Sequence, residues 1–182
     1  DRVGKSGARF DPEKARWYNQ QYMKNKPAAE LAALIMPGLI ARGIQPDATL
    51  VARVIEMVRE RMVFPADFWE QAWYFFQAPD SYEEQMKKKV WKEDTPAILA
   101  EVRDLLAQAE SFRSADLEAV IKEFIERKGL GFGKVAAPLR LLIVGSGMGP
   151  HLFDILEMIG KTETLTRMGK GLGELASANR TS

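Results

Sequence analysis

Apolar residues in this chain recur at three- and four-residue spacing in four separate segments, and no segment sustains the period-two alternation of a half-buried strand. Asp47 stands where a helix cap would, ahead of Val51, Val54, Ile55, Val58 and Met62 on one face. Thr95-Pro96 reads as a cap followed by a first-turn proline, with Ile98, Leu99, Val102, Leu105 and Leu106 as the stripe. Ser114 opens a third helix, with Leu117, Val120, Ile121, Phe124 and Ile125 inward and Gly129 as its stop. Pro150 begins a fourth, which buries Leu152, Phe153, Leu156 and Ile159 and ends at Gly160. Two less regular stretches also read as helical. Residues 27–42 carry Leu31, Leu34, Ile35, Leu39 and Ile40, and Pro37 is expected to kink or break them. Residues 65–76 carry Phe68, Trp69, Trp73 and Phe76. The pattern predicts an all-α protein of two consecutive helical bundles, with the polar stretch 77–94 as the joint and a frayed tail over the last dozen residues.

Composition narrows the chemistry. Of 182 residues, 46% are hydrophobic and 28% charged, which is enough for one or two domains with a real core. No apolar run approaches the roughly 20 residues needed to span a bilayer. There is no cysteine, which removes disulfides, thiolate metal sites and cysteine nucleophiles, and the single His151 leaves little for a histidine-based metal site or triad. The net charge is +1, so a nucleic-acid site has to be a local patch. The opening Asp1-Arg2-Val3-Gly4 reads as the tail of an earlier element, and the chain is expected to be a fragment.

Two nucleotide-like motifs fail on context. Gly4-Lys5-Ser6 resembles the end of a P-loop but lacks the preceding glycine and strand. Leu139 to Val144 followed by Gly145-Ser146-Gly147-Met148-Gly149-Pro150 approximates a dinucleotide fingerprint, yet Pro150 replaces the last glycine and Pro138 opens the supposed strand. A glycine-rich turn between two helices fits better. His151 reads as an exposed turn residue. The aromatic group Phe64, Phe68, Trp69, Trp73, Tyr74, Phe75 and Phe76 reads as core, with base stacking as the alternative. Lys87-Lys88-Lys89 reads as a solvated face or a phosphate contact. No pair of carboxylates is spaced to single itself out for acid–base work.

Three stretches carry a resemblance to the C-terminal half of bacterial glutamyl-tRNA synthetases. SGARFDPEKARWYNQQYM (6–23) is similar to the family's F-D-x-x-K-x-x-W-x-N segment, and RERM ends the helix at Met62. The most specific is KGLGFGKVAAPLRLLIVGSGMGPHLFDILEMIGKTETLTRM (128–168). The resemblance implies a class I ligase that joins glutamate to its tRNA with ATP and Mg, on a Rossmann catalytic domain upstream. The family's two catalytic signature motifs are absent, so this part is expected to be non-catalytic, without a cofactor of its own or a metal. It would comprise the end of a stem-contact region (1–26), a first anticodon-binding bundle (27–80) and a second (81–182). Its implied partners are the anticodon loop of tRNA(Glu) and the upstream catalytic domain of the same chain, with no membrane, as a monomer in the cytoplasm. The competing function is a helical protein-interaction adaptor that binds no RNA.

Carried over by residue, the resemblance assigns Arg61 to the third anticodon base, Arg140 to an anticodon contact, and Gly149, Pro150 and Leu152 to the turn that packs on the first and second bases. It also places a basic contact at Lys122, where the family has an arginine, and Ala137 stands where a glutamine is often seen. The chemistry is coherent. Cytosine offers adjacent acceptors on its pairing edge to arginine's rigid donor fork, whereas guanine presents donors to it. The alternative is an ordinary surface Arg61 pairing with Glu56 or Glu60. Lys122, Arg127, Lys128, Lys134 and Arg140 outnumber Glu123 and Glu126 nearby, as a single-stranded loop would require. Helix-end complementarity to the macrodipole accounts for part of Arg127-Lys128.

Overall fold

The computed structural model describes residues 11–178, and every regular element among them is helical. The helices are α1 (Pro12–Asn25), α2 (Ala28–Ala41), α3 (Ala48–Val58), α4 (Phe68–Ala72), α5 (Glu84–Val90), α6 (Thr95–Gln108), α7 (Ser114–Lys128), α8 (Phe132–Val144) and α9 (Leu152–Ala178). Short 3₁₀ turns occupy Arg59–Arg61, Pro65–Asp67 and Trp73–Phe75. Gly4-Lys5-Ser6 and Phe10 lie outside the described residues. Compact units divide between Gln71 and Ala72, whereas the sequence suggested a boundary after residue 80. The aromatic segment accounts for the shift: Tyr74 and Phe75 are buried, and the Tyr74 carbonyl is bonded by Arg167 of α9.

In the first unit α2 packs on α3. The expected stripe of α3 is fully buried at Val51, Val54, Ile55 and Val58, against Leu31, Ile35 and Leu39. Asp47 caps α3 by accepting from the Thr49 N–H at 2.8 Å, and Asp11 caps α1 through the N–H groups of Glu13 and Lys14. Pro37 does not break α2, which runs through it. The carbonyl that Pro37 leaves without a helical donor is that of Ala33, and both residues are exposed, so water can satisfy it. Leu34 and Ile40, expected inward, are exposed. α1 is held to this unit by Lys24–Glu60 at 2.7 Å and by the Arg59 guanidinium donating to the Lys26 carbonyl.

In the second unit α9 contacts α6, α7 and α8, and α5 lies on α8. The predicted faces of α6, α7 and α9 are buried at Leu99, Val102, Leu106, Leu117, Ile121, Phe124, Phe153 and Leu156. Two helix starts differ from expectation by one or two residues, at α6 and α9, while α7 begins at Ser114 as expected. Thr95 is the first residue of α6 and buried, its hydroxyl accepting from the Lys92 N–H at 2.9 Å. Ser114 begins α7, and its N–H is capped by the Glu157 carboxylate at 2.6 Å. Leu152, not Pro150, begins α9. Gly160 (φ 81°, ψ 170°) interrupts α9 where a stop was expected, but the helix resumes to Ala178 instead of fraying. The resumed part packs through Gly171, where a Cβ would come within 2.5 Å of Leu142 Cδ2.

Arg167 is buried in this unit at 1% exposure. Its Nη1 donates to the carbonyls of Tyr74 (2.7 Å) and Ile143 (2.9 Å), and Nε donates to Glu163 (2.7 Å). Burial pulls its pKa below the usual arginine value, and Glu163 pushes it back up. Replacing it with leucine strands two carbonyls and leaves Glu163 without its guanidinium. Arg167→Leu is expected to lower the unfolding free energy by about 2–4 kcal/mol, read as a drop in the urea midpoint at unchanged slope. A midpoint equal to wild type would remove Arg167 from the core's essential ties.

Candidate nucleic-acid interface

The glycine-rich turn between α8 and α9 is shaped by close packing. Gly145 closes α8 in the left-handed region (φ 84°), and its carbonyl accepts from the Glu83 N–H at 2.7 Å. A Cβ there would lie 2.7 Å from the Ser81 carbonyl oxygen and 2.8 Å from Pro79 Cβ. Gly149 also has positive φ (106°), and a Cβ would sit 3.1 Å from Tyr74 Oη, 3.2 Å from Ile155 Cδ1 and 3.3 Å from Arg140 Nη1. The tight side of Gly149 therefore faces protein.

Arg140, on α8, grips this turn. Its Nη1 donates to the Met148 carbonyl at 2.9 Å and its Nη2 to the Pro150 carbonyl at 2.8 Å. The planar fork fixes both ends of the segment that ends in Pro150. Leu152 is buried, as its place in the α9 stripe implies, so it does not offer the outward face that packing on an anticodon base would need. It is 4% exposed, because as the first residue of α9 it turns toward the core beside Phe153. Leu152 still lines a recess of about 370 Å³ beside the turn, with Met86, Phe132, Ala137, Arg140, Gly147, His151 and Phe153. This is within the roughly 300–1,000 Å³ usual for small-ligand pockets. The small Ala137 leaves room on one wall where a glutamine would project.

Lys122 is exposed on α7, with its Nζ 2.7 Å from Glu118 Oε1. The other oxygen of Glu118 lies 3.1 Å from His151 Nε2. Lys122 first and His151 second hold the Glu118 carboxyl below the usual glutamate range. The structure thus brings Lys122, Arg140, Gly149, Pro150 and Leu152 together around one turn in the second unit. It adds Phe132 and Met86, which the sequence did not single out, and gives the exposed turn residue His151 a partner in Glu118. Their signal, a glycine-flanked phenylalanine and a lone histidine after proline, is visible only once the turn is folded.

Arg61 belongs to the first unit. It ends a 3₁₀ turn beyond α3, not the α-helix expected to run to Met62. Nearby, Glu56 binds Arg59 at 2.8 Å and Glu60 binds Lys24. At about 120° per residue in a 3₁₀ turn, Arg59 and Arg61 point about 120° apart. Arg59 is turned inward and Arg61 is exposed. This unit has its own recess of about 590 Å³, walled by Leu34, Gly38, Phe68 and Trp69, with the Arg42 guanidinium 4.8 Å above the Trp69 ring. Of the aromatic group, Phe68, Tyr74 and Phe75 are core, as expected, while Phe64 is exposed. Among the described residues no group of histidine and carboxylates is placed to hold a metal, and no helix is long and apolar enough to cross a membrane.

A family model described as an anticodon binding domain matches residues 30–172. Glutamate–tRNA ligase of Flavobacterium johnsoniae is 42% identical over 96% of this chain and 35% of its own length. That of Porphyromonas gingivalis is 42% identical over 94% of this chain and 34% of its own. The crystal structure of a glutamate–tRNA ligase from Elizabethkingia meningosepticum, in complex with its amino acid, superposes with a TM-score of 0.88 at 35% identity, covering 95% of this chain and 34% of that one. The chain spans about a third of the length of the relatives it matches.

Burial of Leu152 makes a direct test of the turn. Leu152→Asp is expected to unfold the second unit, and Leu152→Ala to destabilise it by about 2–5 kcal/mol. Circular dichroism and urea titration measure both. A folded, stable Leu152→Asp would show that the side chain faces solvent after all.

Proposed function

Because the chain belongs to the anticodon-binding domain family, we propose that it reads the anticodon loop of tRNA(Glu) as the C-terminal part of a glutamate–tRNA ligase. The observation that carries the reading is its nearly end-to-end likeness to glutamate–tRNA ligases. In this reading the charging of tRNA with glutamate, with ATP and Mg, belongs to the remainder of the polypeptide. The 1–26 segment completes the stem-contact region, and the protein works as a cytoplasmic monomer.

Within the chain, Arg61 is the reader of the third anticodon base. Its exposure on a turn bracketed by the fully buried Val58 and Met62 supports that role. The recess beside the glycine-rich turn receives a splayed base, with Pro150 and Gly149 at the turn and Leu152 contributing from the wall. Arg140 acts by holding that turn, and Lys122 meets a phosphate, for which it needs only to leave an exposed ion pair.

Arg61→Gln is expected to weaken binding of a stem-loop whose third anticodon base is C by about 1–3 kcal/mol. It should also improve the relative standing of a loop ending in G, because the glutamine amide offers both a donor and an acceptor. Arg59→Gln should lower stability without changing that ratio, since Arg59 holds Glu56 and the Lys26 carbonyl. Titration of both loops against wild type and the two variants decides it. Discrimination carried by Arg59 and not Arg61 would sink the assignment.

A second expectation concerns catalysis. The purified chain should show no glutamate-dependent ATP–pyrophosphate exchange, and measurable exchange would overturn the division of labour.

A further inference from the structure

The recess in the second unit has a wall that the assigned contacts leave without a role. His151 follows Pro150, whose carbonyl is pinned by Arg140, so its backbone is fixed at the mouth of the turn. Its ring stands edge-on to Phe153 at 5.5 Å, and the exposed Phe132 tilts against the same Phe153 at 6.4 Å. Two solvent-facing rings therefore share one buried ring as their backing, and all three line the recess. Planar walls of this kind suit a π-faced ligand.

What orients His151 comes from 33 residues away. Glu118 on α7 divides its carboxylate, with Oε1 on Lys122 at 2.7 Å and Oε2 on His151 Nε2 at 3.1 Å. A carboxylate on a surface meant for RNA is unfavourable unless it has a task. Resting on the reading above, we propose that Glu118 is a positioning residue that holds His151 as a wall of the recess, and that an unstacked base of the loop packs against His151 and Phe132. Lys122 neutralises Glu118 and keeps the rim attractive to phosphate.

The bland account, an ordinary exposed ion pair, predicts the opposite sign. Removing a negative charge from an RNA-facing rim would then raise affinity for every loop alike and steepen its salt dependence. The positioning account predicts a loss that depends on one base.

The experiment titrates the chain with the tRNA(Glu) anticodon stem-loop and with versions abasic at one anticodon position each. Wild type, Glu118→Gln, His151→Ala, His151→Phe and the Glu118→Gln/His151→Ala double variant are compared. His151→Ala should weaken the intact loop roughly tenfold, the scale of a lost base–ring stack, and leave one particular abasic loop unchanged. Glu118→Gln should weaken the intact loop in the same direction, and the double variant should be no weaker than His151→Ala alone. His151→Phe, which keeps a ring, should retain most of the affinity and become insensitive to Glu118→Gln. Both side chains are at least partly solvent-exposed, and circular dichroism confirms folding. A uniform rise in affinity with Glu118→Gln, or an equal effect of His151→Ala on every abasic loop, overturns the proposal while leaving anticodon binding intact. Failure of the wild-type chain to prefer the intact loop overturns the underlying reading and this proposal with it.

Discussion

The buried guanidinium of Arg167 is the tie on which the second unit's geometry depends. One nitrogen joins the carbonyl of Tyr74, in the aromatic 3₁₀ turn, to that of Ile143 at the end of α8. The end of α8 sets Gly145, Gly145 sets the entry to the glycine-rich turn, and Arg140 then fixes its exit. A cation is suited to this role because free carbonyls at the ends of helices carry partial negative charge and lack internal donors. Lys161 does the same at the Ala109 carbonyl that ends α6, while Arg103 and Lys170 donate to the carbonyls of Leu165 within α9 and of Pro79 in a loop.

This use of basic residues changes the electrostatic picture. Sequence counts treat every lysine and arginine as available to an anion. In the second unit several are committed to the backbone, and others sit in exposed ion pairs: Lys122 with Glu118, Lys128 with Glu101, and Lys134 with Asp94. Exposed pairs contribute at most about 1 kcal/mol each, so a phosphate can displace the carboxylate at little cost. The buried and carbonyl-bound cations cannot be redirected without loosening the fold. Salt-sensitive binding therefore has to come from exposed cations, those in such pairs included.

The helical stripes were legible because burial imposes a 3.6-residue period on α3, α6 and α7 whatever their partners are. What was not legible depended on non-local geometry. Ser114 opens α7 as its residue type suggests, but the oxygen that caps its N–H comes from Glu157, distant in sequence. The stretch 65–76 reads as one helix, yet Ala72 (φ −139°, ψ 1°) ends α4 and the next residues tighten into a 3₁₀ turn that buries Tyr74 and Phe75. The last dozen residues look like a frayed tail, while Gly171 among them is where α9 comes so close to Leu142 that a Cβ would lie 2.5 Å from its Cδ2. At the candidate interface the residue types and the inward turn of Leu152 were visible, but the contact between His151 and Glu118 of another helix was not.

The position of Arg61 shows why a reader would sit on a short 3₁₀ turn and not within a regular helix. A long side chain loses rotamer freedom when it binds, and that loss reduces affinity unless its base is already fixed. Val58 before it and Met62 after it are both fully buried, and the Met62 N–H is bonded to the Arg59 carbonyl at 3.1 Å. The backbone at Arg61 is thereby clamped on both sides. A planar donor fork on a fixed base loses less freedom on meeting an acceptor-bearing base edge, and its donors oppose a donor-bearing one.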